Sequence, residues 1–216
     1  MINLKNLLLS ASIFFSIFLS PVFSNPKVLK VGAIPDQNQD VLDKRFNIFS
    51  KELSKQLDKE VKYIPVFDYV AAVTGFRTKD LDLVWFGGLS GVQARLQTPN
   101  SIVIAQRDID KEFKSVFIVN KNLELNPISN IKGLKKLKNL RFTFGSENST
   151  SGRLMPEYFL NRAGVKIKHF KGGKAGFSGS HDATIALVNS GAFDAGVLNK
   201  QVWETILKII PKEQVI

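Results

Sequence analysis

A two-lobed α/β fold built on largely parallel sheets is what the sequence predicts, and three observations predict it. Short β-rich runs alternate with segments of helical periodicity from residue 28 onward. One run, Leu81 to Trp85, is almost continuously apolar, as a strand covered on both faces must be. The 216 residues are 44% hydrophobic and 23% charged without a low-complexity tract, the profile of a chain that can bury a core.

Residues 1–24 read apart from the rest. Lys5 gives a positive start, Leu7 to Leu19 is apolar apart from serines, and Val22-Phe23-Ser24 offers a small residue for cleavage. The apolar core is shorter than the roughly 20 residues a membrane-spanning helix needs, which favours a cleavable signal peptide over a retained anchor. The reading is therefore an exported, periplasmic protein. With no cysteine in the chain, neither a disulfide framework nor lipidation of an N-terminal cysteine enters the argument.

The elements follow in order. Val28 to Ala33 is the first strand. Leu42, Phe46, Phe49, Leu53 and Leu57 repeat at three and four and predict a helix from Val41 to Leu57 with one apolar stripe. Val61 to Phe67 is the next strand. Asp68 is placed to cap a helix from Tyr69 to Thr78. After the strand ending at Trp85, a helix over Leu89 to Leu96 and strands at Ile102 to Ala105 and Ser115 to Asn120 complete a first lobe, 25–122. The second lobe, 123–200, opens with a crossing up to Asn130 and a helical segment at Ile131 to Leu137. A strand at Leu140 to Phe144, a turn, a helix at Thr150 to Ala163 and a strand at Val165 to Phe170 follow. Then come a glycine-rich stretch, a helix at His181 to Ser190, a strand at Phe193 to Leu198 and a helical segment from Lys200 to Ile209. Two such lobes normally share strands, so 201–216 reads as the beginning of a return to the first lobe in a shortened chain.

The formal charge, +11 from 30 basic and 19 acidic residues, favours anions in general. Export argues against nucleic acid. The densest cluster, Lys132, Lys135, Lys136 and Lys138, reads as a solvated face.

The chemistry concentrates in Gly145-Ser146-Glu147-Asn148-Ser149-Thr150-Ser151-Gly152, between a strand and a helix. A helix start exposes backbone N–H groups and the positive end of the macrodipole, and three consecutive hydroxyls there would complete an anion cradle. An ordinary N-cap needs only one hydroxyl. His181 follows Gly179-Ser180 at another helix start, where an imidazolium would add a charge-assisted donor; His169, inside a strand pattern, reads as structural. Ser149, His181 and Asp182 contain the residue types of a nucleophilic triad, but a histidine and an aspartate adjacent on one helix start point apart, and no Gly-x-Ser-x-Gly elbow is present. Two histidines without cysteine make no metal site, and no cofactor is implied. Tyr69, Trp85, Phe86 and Phe113 near strand ends are expected to wall one side of a cleft. An oxyanion bearing one apolar substituent suits such a wall better than phosphate does, because a fourth oxygen facing rings loses its hydrogen bonds.

These residues carry a family resemblance. Phe67-Asp68-Tyr69, Asp82-Leu83-Val84-Trp85-Phe86-Gly87, Asn148-Ser149-Thr150-Ser151-Gly152, Gly179-Ser180-His181-Asp182-Ala183 and Phe193-Asp194 are similar to motifs of the periplasmic phosphonate- and phosphite-binding proteins of ABC transporters, across essentially the whole mature sequence. The resemblance implies a type II periplasmic binding protein, a monomer rather than an enzyme, that delivers its ligand to a membrane permease by hinge closure. It implies ligand contacts from Tyr69, Ser149, Thr150, Ser151 and His181. Phe113 falls where relatives carry a second tyrosine, and Gln201 where binders of aminoalkylphosphonates have a glutamate, so a smaller ligand is implied. Phosphite and methylphosphonate lead; selenate, sulfate or phosphate, a sensor module and an exported serine hydrolase are the alternatives.

Overall fold

The computed structural model describes residues 27–208. The signal-peptide reading at 1–24 and the last eight residues of the expected return lie outside them. Two sheets organise the chain. The first is wholly parallel, order β2-β1-β3, with β1 at Leu29–Ala33, β2 at Val61–Tyr63 and β3 at Leu83–Trp85. The second has order β4-β7-β5-β6, from β4 (Ser115–Val119), β5 (Phe142–Phe144), β6 (Gly176–Phe177) and β7 (Ala195–Asn199). Here β5 runs parallel to both neighbours, while β4 lies antiparallel to β7 with Phe117 opposite Val197.

The first sheet is covered by α1 (Gln39–Leu57), and α2 (Tyr69–Arg77) and α3 (Gly88–Gln97) complete its lobe. Leu42 and Phe46 of α1 pack with Val31, Ala33 and Val61, and Leu53 joins from the margin. Phe49 and Leu57, expected on the same stripe, are exposed, and Ser50 is buried in their place. Periodicity defines an arc of the helix but not which edge of it the sheet covers. Around the second sheet stand α4 (Met155–Arg162), α5 (His181–Asn189) and α6 (Lys200–Leu207). Its core is aromatic: Phe142 stacks on Phe170 at 4.5 Å and meets Phe144 edge-on at 5.0 Å.

Several expectations need correction. Ser115 to Asn120 is expected to complete the first lobe, yet β4 pairs in the second sheet. Ile102 to Ala105 is not a strand; Ile102 is 78% exposed and the run has no ladder partner among the described residues. β-Branched residues favour extended backbone, but a strand exists only where a neighbour accepts its hydrogen bonds. The strand expected to reach Phe67 ends at Tyr63. Pro65 has no N–H to continue a ladder, and Phe67 beyond it is 98% exposed. Val165 to Phe170 is also no strand. Val165 N–H turns back to the Leu160 carbonyl, and the chain curls into a 3-10 turn at Ile167–His169, which buries Val165 and Phe170 without a ladder. His169 sits on that turn, its Nδ1 accepting from Lys166 N–H at 3.1 Å, a structural role. The glycine-rich stretch, conversely, contains β6. A Cβ on Gly176 would lie 2.4 Å from the Phe193 ring, so the bare backbone is what lets this strand join the sheet.

Candidate anion-binding cleft

The cleft between the two sheets is bounded by helix starts on both sides. From the second sheet, the turn after β5 leads into a helix whose first residues, Thr150–Leu154, wind as a π-turn before α4. Gly145 makes this possible. Its N–H donates to Gly152 O at 2.9 Å, and a Cβ there would approach Gly152 Cα to 3.3 Å, so the turn folds tightly onto the helix start. Ser149 is the N-cap, its Oγ accepting from Gly152 N–H at 2.9 Å, while its carbonyl accepts from Arg153 and Leu154 N–H. The backbone N–H groups of Thr150 and Ser151 find no protein acceptor among the described residues, as the first positions of a helix dictate. Ser149 and Ser151 are buried, and the Ser151 carbonyl accepts from the Ser115 hydroxyl at 2.9 Å.

The first lobe meets this start directly. Thr150 Oγ1 accepts from Leu89 N–H, in the first turn of α3, at 2.8 Å. A Cβ on Gly88 would come within 3.2 Å of that oxygen, so the glycine lets the helix tip approach. Beside it, Gln93 Nε2 donates to Asn148 Oδ1 at 3.1 Å. Tyr69 opens α2 behind its cap Asp68, which accepts from Ala71 N–H at 2.7 Å, and the buried Tyr69 phenol faces the Ser149 hydroxyl. Burial, with the Asp36 carboxylate nearby, pushes the Tyr69 pKa up, so the ring keeps its proton as a donor.

His181 closes the other end of the cleft from the first turn of α5. Its backbone N–H donates to the Asp36 carbonyl at 2.9 Å, and its Nδ1 accepts from Asn199 N–H at 3.4 Å. Burial drives its pKa down to about 4, so the ring is a neutral imidazole and not the imidazolium expected from the sequence. With Nδ1 accepting, the proton resides on Nε2, which makes that nitrogen a neutral donor. Asp182 does not turn to His181: its Oδ2 accepts from Asn38 N–H at 2.5 Å, beside the start of α1. The triad geometry of Ser149, His181 and Asp182 is absent.

Two of the residues expected at the site lie outside the hydrogen-bonded cluster. Phe113 is 37% exposed two residues before β4, able to offer a ring but no donor. Gln201 lines an adjacent cavity of about 300 Å³ with Asp36, Gln37, Arg45, Arg107, Asn199 and Thr205. Nor do all four aromatics form one wall: Phe86 packs against the cluster that holds Tyr69 and meets Phe76, but Trp85 packs with the α1 cluster beneath the Arg107 guanidinium at 5.0 Å. Sequence reasoning missed Asp36. Its carboxyl is pushed up to about 6 by burial, against the lowering effect of Arg45 and Arg107. Its place at the carboxyl end of β1 was the available signal.

The family described as ABC transporter, phosphonate, periplasmic substrate-binding protein matches residues 31–215. The chain belongs to this family. A Prochlorococcus marinus (strain MIT 9301) protein named a probable ABC transporter phosphite binding protein, PhnD1, is 89% identical over 212 residues, 98% of this chain and 71% of that protein. An Escherichia coli K12 phosphonates-binding periplasmic protein is 33% identical over 150 residues, and the chain spans 44% of its length. The crystal structure of the Prochlorococcus PhnD1 in complex with methylphosphonate superposes with a TM-score of 0.84 at 93% identity, over 85% of this chain and 68% of that one. The fold is that of a type II periplasmic binding protein, and its family places it among the periplasmic ligand-binding components of ABC transporters.

Proposed function

We propose that the chain binds phosphite or methylphosphonate in this cleft and hands it to the permease of an ABC importer, residues 1–24 serving as a cleaved export signal. Ser149, Thr150, Ser151, Tyr69 and His181 hold the oxygens in this reading, with Phe113 toward the substituent and Gln201 beyond it. The observation that carries it is the Ser149-Thr150 helix start. Thr150 Oγ1 already accepts an N–H from the opposite lobe, so its hydroxyl proton is left to donate, beside the Ser149–Tyr69 hydroxyl pair and two backbone N–H groups without protein acceptors among the described residues. Such a set suits an anion, and the name of the 89% identical relative supports phosphite among anions.

The neighbouring cavity supports a substituent without an ammonium group. Arg45 and Arg107 flank its one carboxylate, Asp36, and Gln201 is uncharged. Binding without turnover agrees with the engagement of Asp182 by Asn38 and of His181 Nδ1 by Asn199, which leaves no base relay for Ser149.

Titration calorimetry with phosphite, methylphosphonate, 2-aminoethylphosphonate, phosphate, sulfate and selenate tests the reading. Phosphite and methylphosphonate should bind most tightly and be recovered unchanged. Preference for sulfate, selenate or the ammonium-bearing ligand, or hydrolysis of an ester, overturns it. Mass analysis of the exported protein checks the cleavage after residue 24.

A further inference from the structure

Two side-chain contacts that cross the cleft involve none of the proposed ligand-holding residues. At one rim, the Gln93 amide donates to Asn148 Oδ1 at 3.1 Å, joining α3 to the turn before Ser149. At the other, Asp182 Oδ2 accepts from Asn38 N–H at 2.5 Å, joining the start of α5 to the start of α1. The anion cradle lies between them. Each pair joins an element beside the first sheet to one beside the second, so neither serves to hold one lobe together.

The physical setting makes both pairs consequential. Asn148 and Gln93 are partly buried, so water replaces their mutual bond only when the lobes separate. Asp182 places a carboxylate at the positive end of the α1 dipole, an attraction that also falls off within a turn of opening. A ligand that binds only the closed form has an apparent dissociation constant equal to its intrinsic one divided by the closed fraction. Contacts that exist only in the closed form therefore set affinity without touching the anion.

We infer that Gln93–Asn148 and Asp182–Asn38 are two clasps flanking the anion site, positioning residues that hold the lobes closed and slow release of the bound oxyanion. The inference rests on the proposed oxyanion reading for its effect on affinity, but not for its effect on closure.

The chain has no cysteine, so Lys51→Cys on α1 and Lys135→Cys on the Ile131–Leu137 segment of the second lobe, both exposed, allow two labels to report the distance between lobes. In full-length chain, Gln93→Ala and Asp182→Ala should each lengthen that distance without added anion and raise the phosphite Kd about fivefold, the worth of one hydrogen bond, through faster dissociation. Alanine at position 93 suits a helix, and the thermal midpoint without phosphite should hardly move. Asn148→Ala added to Gln93→Ala should cost little more than either alone, and Asp182→Asn, which keeps an acceptor oxygen, should recover much of the loss. Unchanged distance in both alanine variants overturns the clasps, whatever phosphite does. If the distance shifts as expected but phosphite does not bind the parent chain, closure is confirmed and the oxyanion reading falls.

Discussion

Two helix starts in the second lobe have the same cap and different surroundings. Ser149 accepts from Gly152 N–H at 2.9 Å, and Ser180 accepts from Ala183 N–H at 3.2 Å, each three residues into its helix. At the first, the following N–H groups of Thr150 and Ser151 have no protein acceptor among the described residues. At the second, the following N–H, that of His181, is taken by the Asp36 carbonyl, and the next side chain, Asp182, is taken by Asn38. A cap therefore does not define a binding site. What decides is where the remaining donors point once the lobes meet.

The most direct way to break this comparison is to remove both hydroxyls of the first start. Ser149→Ala with Thr150→Ala should weaken phosphite binding by about 3 to 6 kcal/mol, since hydrogen bonds to charged groups contribute about 1.5 to 3 kcal/mol each. Calorimetry showing unchanged affinity would dismiss the first start as an anion site.

Acid sharpens the second start, because His181 and Asp36 meet there with opposite linkage. The His181 pKa falls from 6.5 to about 4 on folding, so its contribution is intact above pH 6.5 and is lost as pH falls through 4, at a cost of about 3 kcal/mol. The Asp36 pKa rises from 3.8 to about 6, so its contribution is full below 3.8 and is lost as pH rises through 6, by about 3 kcal/mol. The two largely cancel between pH 6.5 and 4. Denaturant unfolding across this range should show His181→Asn gaining stability in acid relative to the parent and Asp36→Asn losing it. Parallel curves for all three would remove the assigned protonation states.

Smaller still, Ser180→Ala should cost about 1 kcal/mol of folding stability as an ordinary cap does, and change phosphite affinity far less than the Ser149 and Thr150 substitutions. A loss of affinity matching theirs would erase the contrast between the two starts.

Much of this architecture was legible before any coordinates. The helix at Tyr69 with its Asp68 cap, the strand at Leu83 to Trp85, though half-buried rather than covered on both faces, and the serine-rich helix start all follow from local rules, because capping, period and strand-end glycines act over a few residues. The failures were of another kind. Ile102 to Ala105 has strand composition without a partner among the described residues, and β4 joins the second sheet although it follows the first lobe in the chain. Pairing is a property of two segments, and one segment's composition does not name the other.

By itself, then, the sequence determined the alternation of elements, the serine-capped helix start and the family motifs, since each is written in contiguous residues with short-range physics. Tertiary structure alone decided the neutral state of His181, the diversion of Asp182 to Asn38 and the reach of Leu89 to Thr150. These depend on burial and on approach between residues tens to more than a hundred positions apart, where desolvation and hydrogen-bond geometry are set by the packing of two lobes rather than by neighbours in the chain.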